Sequence, residues 1–110
     1  MDLKDIPEVG GITGDGDYAY FVLRTYGDGQ RMIVRCWPHG SPEPDPYDEP
    51  GIDPARVSFA ILGGGVLSVS TDRTGIVVGG SSRTHGREPD REATANMLRR
   101  AFPDRIVEIL

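Results

Sequence analysis

Six of the nine prolines lie between positions 38 and 54, at 38, 42, 44, 46, 50 and 54. Each removes a backbone donor and fixes φ, so the stretch is closed to an α-helix and to an interior β-strand. Regular structure must therefore come from the segments on either side, and residues 38–54 must run as a long loop. Loops of this length inside a small domain are uncommon, and those that occur tend to be functional or disordered.

Before the loop, Tyr18-Ala19-Tyr20-Phe21-Val22-Leu23-Arg24-Thr25-Tyr26 is aromatic and β-branched. Gly27-Asp28-Gly29-Gln30 then separates it from Arg31-Met32-Ile33-Val34-Arg35-Cys36-Trp37, which predicts a β-hairpin. Residues 1–17 are rich in Gly and Asp and have only Ile6, Val9 and Ile12 as apolar anchors, the pattern of an arm lying on the domain. After the loop, residues 57–62 read as a buried strand, Gly63-Gly64-Gly65 breaks it, and residues 66–70 and 76–78 give further strands around a turn at 71–75.

A second loop, rich in Gly and Ser, spans residues 79–88. Pro89 and Asp90 then signal a helix start, and the helix runs to about Phe102. Ala93, Met97 and Ala101 share one face with Thr94, Leu98 and Phe102 beside them, while Arg91, Arg99 and Arg100 lie elsewhere. Pro103-Asp104 ends the helix and residues 105–110 form a last strand. The fold class is α+β, a sheet packed by one long C-terminal helix. No internal repeat is present.

A chain of 110 residues buries one core, so residues 1–110 are read as a single domain. A formal net charge of −5 argues against general nucleic-acid binding, which needs clustered Lys and Arg. Lys4 is the only lysine among 12 cationic residues; arginine suits bidentate recognition of phosphate, although genome base composition produces the same bias. Cys36 is the only cysteine, so one chain can form neither an internal disulfide nor a cysteine metal cluster. The first residues lack a basic and then apolar run, and no later run approaches membrane-spanning length; the expectation is a cytoplasmic protein without a membrane partner.

Gly79-Gly80-Ser81-Ser82-Arg83-Thr84-His85-Gly86 has the composition of an anion site: glycines let N–H groups converge, hydroxyls donate and Arg83 adds charge. It lacks Gly-Lys-Ser/Thr and is not a nucleotide P-loop. The chain has two histidines, His39 and His85, both in loops, and histidine is the side chain best suited to act as a base near neutral pH. Glu43, Asp45, Asp48, Glu49 and Asp53 could chelate a hard divalent cation but read first as solubilising residues, and Trp37 and Tyr47 could stack on a ligand but read first as pins holding the proline loop to the core. Cys36, at a strand end with no adjacent base, reads as a packed thiol.

Ile6-Pro7-Glu8-Val9, Phe21-Val22-Leu23-Arg24, Ile33-Val34-Arg35, Leu62-Gly63-Gly64-Gly65, Gly80-Ser81-Ser82 followed by Gly86, and Phe102-Pro103-Asp104 come along the chain in a fixed order. In that order and spacing they resemble the fourteen-kilodalton phosphohistidine phosphatase (Janus/Ocnus) family. The resemblance implies a mixed six-stranded sheet packed by helices and a phosphatase that removes the phosphoryl group from histidine in a protein, with no metal or other cofactor. The first family helix is replaced here by the proline loop.

The resemblance also implies departures. The family's catalytic histidine falls on Glu43, its first-strand lysine on Tyr20 and its arginine after the triple glycine on Val66. Ser82 matches the phosphate-binding serine, and His39 lies four residues before Glu43. The resulting candidates are His39 and His85 as catalytic base, with Gly40, Glu43, Ser81, Ser82, Arg83 and Thr84 binding a ligand. The expected partner is a phosphorylated protein or small anionic ligand. Two other readings stand beside metal-free hydrolysis of a P–N bond: a non-catalytic anion- or protein-binding member of the family, or an enzyme of another reaction class on the same fold. Oligomeric state is left open.

Overall fold

The computed structural model describes residues 7–26, 31–45, 58–70 and 75–110. Among these residues six strands and one helix follow one another as β1 (Val9–Gly10), β2 (Gly16–Tyr26), β3 (Arg31–Pro38), β4 (Ser58–Ser70), β5 (Gly75–Gly79), α1 (Arg91–Ala101) and β6 (Ile106–Ile109). They form one mixed sheet in the order β1-β3-β2-β4-β5-β6. The β2–β3, β2–β4 and β4–β5 pairs are antiparallel, whereas β1–β3 and β5–β6 are parallel. A parallel pair needs a crossover connection, and α1 supplies it between β5 and β6.

Alternation along β2 sorts its side chains onto two faces. Tyr18, Tyr20 and Val22 join Val34, Leu67, Ile76 and Val78 beneath Ala95, Met97 and Leu98 of α1. Phe21 and Leu23 pack with Ile33 on the other face, against Trp37, Phe59 and Ile61. Tyr20 and Phe21 are both fully buried, so the sheet centre is covered on both sides.

The arm contributes a strand. Val9 and Gly10 pair with Val34 and Arg35 of β3, and Glu8 is tied to Arg100 of α1 at 2.9 Å. The sequence places a break at Gly63-Gly64-Gly65, whereas β4 runs unbroken through all three glycines. The register against β2 steps from Val22↔Gly63 to Leu23↔Ile61, leaving Leu62 as the extra residue of a β-bulge. The glycines permit close approach here rather than ending a strand. A Cβ on Gly63 (φ +140°) would meet the Arg87–Glu88 backbone, one on Gly64 the Tyr20 carbonyl, and one on Gly65 the Gly79 carbonyl and the Arg91 guanidinium.

The helix begins as the sequence predicts, with the Asp90 carboxylate accepting from Ala93 N–H at 3.0 Å as N-cap. It ends where Phe102 N–H donates to the Leu98 carbonyl ahead of Pro103. Thr94, Met97 and Leu98 are buried as expected, whereas Ala101 is exposed and Ala95 and Arg91 are buried instead. Arg91 is buried for an electrostatic reason, since it turns inward onto a buried carboxylate. Residues 39–45 of the proline loop contain a turn and no helix, while residues 46–54, with Tyr47, Asp48, Glu49 and Asp53, lie outside the described residues. No helix among the described residues is long and apolar enough to cross a membrane.

The close packing over β4 is directly testable. Gly64→Ala sets a methyl against a backbone carbonyl that cannot move aside, and it should lower stability by about 2–3 kcal/mol or prevent folding. Gly14→Ala, with nothing within 4 Å of the new Cβ, should change stability by no more than about 0.5 kcal/mol. Urea denaturation of both variants checks the difference, and equal midpoints would refute the close-approach account.

Candidate functional site

The loop after β5 is closed on itself and on β4. Ser82 and Gly86 form a bridge, with Gly86 N–H donating to the Ser82 carbonyl at 2.9 Å. Ser82 N–H donates to the Gly64 carbonyl at 3.1 Å, and Gly64 N–H to the Gly86 carbonyl at 2.8 Å. Gly80 and Gly86 take positive φ values of 65° and 72°, a conformation that a side chain disfavours. Within the loop the Ser82 Oγ accepts from Thr84 N–H at 3.3 Å and His85 N–H at 3.1 Å.

This geometry modifies the expected cradle of converging N–H groups. The N–H groups of Ser82, Thr84, His85 and Gly86 already have acceptors within the fold. The hydroxyl proton of Ser82, the hydroxyls of Ser81 and Thr84, and the N–H and guanidinium of Arg83 have none among the described residues. An anion at this loop would therefore meet hydroxyls and arginine more than a backbone nest.

A facing rim is built at the end of β3. His39 N–H donates to the Asp17 carbonyl at 3.0 Å, and Ser41 N–H closes a turn onto the Pro38 carbonyl at 3.0 Å, with Gly40 at φ 91°. Between the rims lies an open cleft of about 470 Å³. His39, Gly40, Ser41 and Glu43 line one side, Ser81, Ser82, Arg83 and Thr84 the other, and Ala19, Tyr20, Trp37, Gly65 and Val66 the sheet between them. Every ligand-binding candidate named from the sequence borders this one space, as does His39.

His85 does not line it. Its Nε2 lies 3.2 Å and 3.3 Å from the two carboxylate oxygens of Glu43, and its ring stands edge-on to Phe21 with centroids 6.4 Å apart. The contact joins the proline loop to the loop after β5. It also holds Glu43, at the position that the resemblance assigns to the family's base, against a histidine from across the sheet.

Beneath the cleft is a group of residues that the sequence reading missed. Glu88, 2% exposed, accepts from the Tyr20 hydroxyl at 2.6 Å and the Thr94 hydroxyl at 2.8 Å through Oε2. Through Oε1 it accepts from Arg91 Nη2 at 2.6 Å and Nε at 3.1 Å. Arg91 Nη2 also donates to the Gly64 carbonyl at 3.2 Å. Burial works to raise the Glu88 pKa, but the hydrogen bonds from Arg91, Tyr20, Thr94 and its own backbone outweigh it and hold the carboxyl below its usual range. Burial, reinforced by Glu88, pushes the Tyr20 phenol well above its ordinary value. The only legible signal was Glu88 preceding Arg91 by three residues near a helix start, which by itself looks like a surface pair.

Cys36 is buried on the helix side, and burial pushes its thiol up to about 12 against the opposing pull of Arg35, which leaves it a packed thiol. No group of three His, Cys, Asp or Glu among the described residues is placed to hold a metal ion.

The profile of the Janus/Ocnus family (Ocnus) matches residues 3–105. The chain belongs to the Janus/Ocnus family, and the mixed six-stranded sheet with its single described helix is consistent with that membership. No curated protein matches the chain. At the positions that the resemblance assigns to lysine and arginine, the structure has the Tyr20 hydroxyl committed to Glu88 and Val66, 37% exposed, at the cleft.

The depressed Glu88 pKa fixes a sign. Its contribution to stability is present above the unfolded carboxyl value of about 4.5 and is lost as pH falls from there through the lower folded value. Removing the charge from one side of a buried pair costs about 3–5 kcal/mol. Glu88→Gln should therefore melt well below the parent near neutral pH and lose less on acidification. A constant gap between the two melting curves from pH 7 down to pH 3 would contradict this role.

Proposed function

We propose that the cleft binds the phosphoryl group of a phosphorylated histidine side chain, and that the protein hydrolyses the P–N bond with His39 as general base. The observation that carries the reading is the meeting, in one cleft, of an imidazole on one rim with hydroxyls and a guanidinium on the other, neither the imidazole nor the guanidinium having a partner among the described residues. Arg83 and the hydroxyls of Ser81, Ser82 and Thr84 supply charge and donors to the equatorial oxygens, where negative charge resides during phosphoryl transfer. His39 removes a proton from water as its oxygen attacks phosphorus. The P–N bond breaks with its electron pair passing to the imidazole nitrogen of the substrate, which takes up a proton, so histidine and inorganic phosphate leave. Glu43 would repel a phosphate dianion, and the Arg83 guanidinium on the opposite rim offsets that charge.

A second reading, binding without turnover, is favoured by one specific observation. The positions assigned to the family's lysine and arginine hold Tyr20, whose hydroxyl is committed to Glu88, and Val66, which is apolar, so transition-state charge meets fewer cations.

The test is phosphate release from a phosphohistidine peptide by purified protein without added metal. Turnover that falls at least about 100-fold in His39→Ala supports hydrolysis, in line with the usual contribution of a positioned base. Saturable binding of the peptide without release selects the second reading. Absence of both would retire the phosphoryl site.

A further inference from the structure

The phosphoryl reading uses the polar rims of the cleft and leaves its sheet wall without a role. Ala19 is the register partner of both Trp37 on β3 and Val66 on β4. Residues directly opposite on paired strands share a face, so these three side chains stand abreast on the face away from α1 as an apolar strip across three strands. Trp37 is half-buried and held by Phe21, with ring centroids 5.1 Å apart and planes tilted by 56°. Phe21 also touches His85, whose ring is fixed by Glu43. The indole is therefore set in place before any ligand arrives.

The volume points the same way. At about 470 Å³ the cleft lies within the range of small-molecule pockets and is several times larger than a phosphoryl group needs. An apolar strip beside a donor-rich rim suits a ligand that carries an anion on a flat apolar body. Resting on the reading of the previous subsection, we infer that Trp37, with Ala19 and Val66, selects for what carries the phosphoryl group: a planar ring, imidazole or aryl, lies against the indole and is preferred over a flexible alkyl chain. A ring offers a π-face and loses little conformational freedom on binding, whereas an alkyl chain has rotamers to lose.

The single tryptophan makes the test direct, because intrinsic fluorescence reports on Trp37 alone. Phenyl phosphate, propyl phosphate and inorganic phosphate are titrated into the full chain. Phenyl phosphate should perturb the emission and bind about threefold to tenfold more tightly than propyl phosphate, the span that aromatic stacking provides. In Trp37→Leu, followed by calorimetry, that preference should collapse while the affinity for inorganic phosphate is kept; Trp37→Phe, which retains a ring, should keep most of it. Val66→Ser alters a 37% exposed residue and offers a variant with little risk to folding, in which the preference should shrink. Equal affinities for the phenyl and propyl esters, or a preference that survives Trp37→Leu, would overturn the inference while leaving the phosphoryl site standing. If none of the three compounds binds, the site and the inference fail together.

Discussion

The buried carboxylate of Glu88 is the point on which most of the structure converges. It takes hydrogen bonds from β2 through Tyr20 and from α1 through Thr94 and Arg91, and Arg91 reaches on to the Gly64 carbonyl in β4. An ionised group with 2% exposure persists only when its oxygens are satisfied, and both oxygens are. That requirement brings the loop after β5 down onto the sheet, and the triple glycine of β4 lets it come so close. The same constraint places Ser82, bonded to the Gly64 carbonyl, at the cleft edge.

The candidate site is thus two loops resting on the sheet. One rim is fixed by hydrogen bonds to Gly64 and by internal bonds to the Ser82 Oγ, the other by the bond from His39 N–H to Asp17. The Glu43–His85 contact joins the loops across the sheet face. Groups held on a packed scaffold lose little freedom when a ligand binds. At the positions that the resemblance assigns to lysine and arginine, Tyr20 is a donor to the core network and Val66 is part of an apolar wall.

Much of the fold was legible in local chemistry. The hairpin of β2 and β3 follows from aromatic and β-branched residues around Gly27-Asp28-Gly29, and the helix start from Asp90, whose cap is a local interaction. What could not be read depended on distant partners. Gly63-Gly64-Gly65 has the signature of a strand breaker, and only the approach of Glu88 and Arg91 explains its place inside β4. Arg91 looked like a solvent-facing charge because its partner's burial is a tertiary fact. The short β1 strand in a Gly- and Asp-rich arm carries no periodicity to detect. The candidate residues for the cleft were legible because they cluster in two loops, but the pairing of Glu43 with His85, across 42 positions of sequence, was not.

The proposed function requires an anion to enter between residues 39–43 and residues 81–84. The most direct measurement is a titration of the isotope-labelled protein with inorganic phosphate, following backbone amide shifts by two-dimensional NMR. Saturable shifts are expected at Gly40, Ser41, Ser82, Arg83 and Thr84, with the Arg83 amide among the largest because it has no acceptor among the described residues. Shifts that do not saturate, or that centre away from these two loops, would contradict the proposed function.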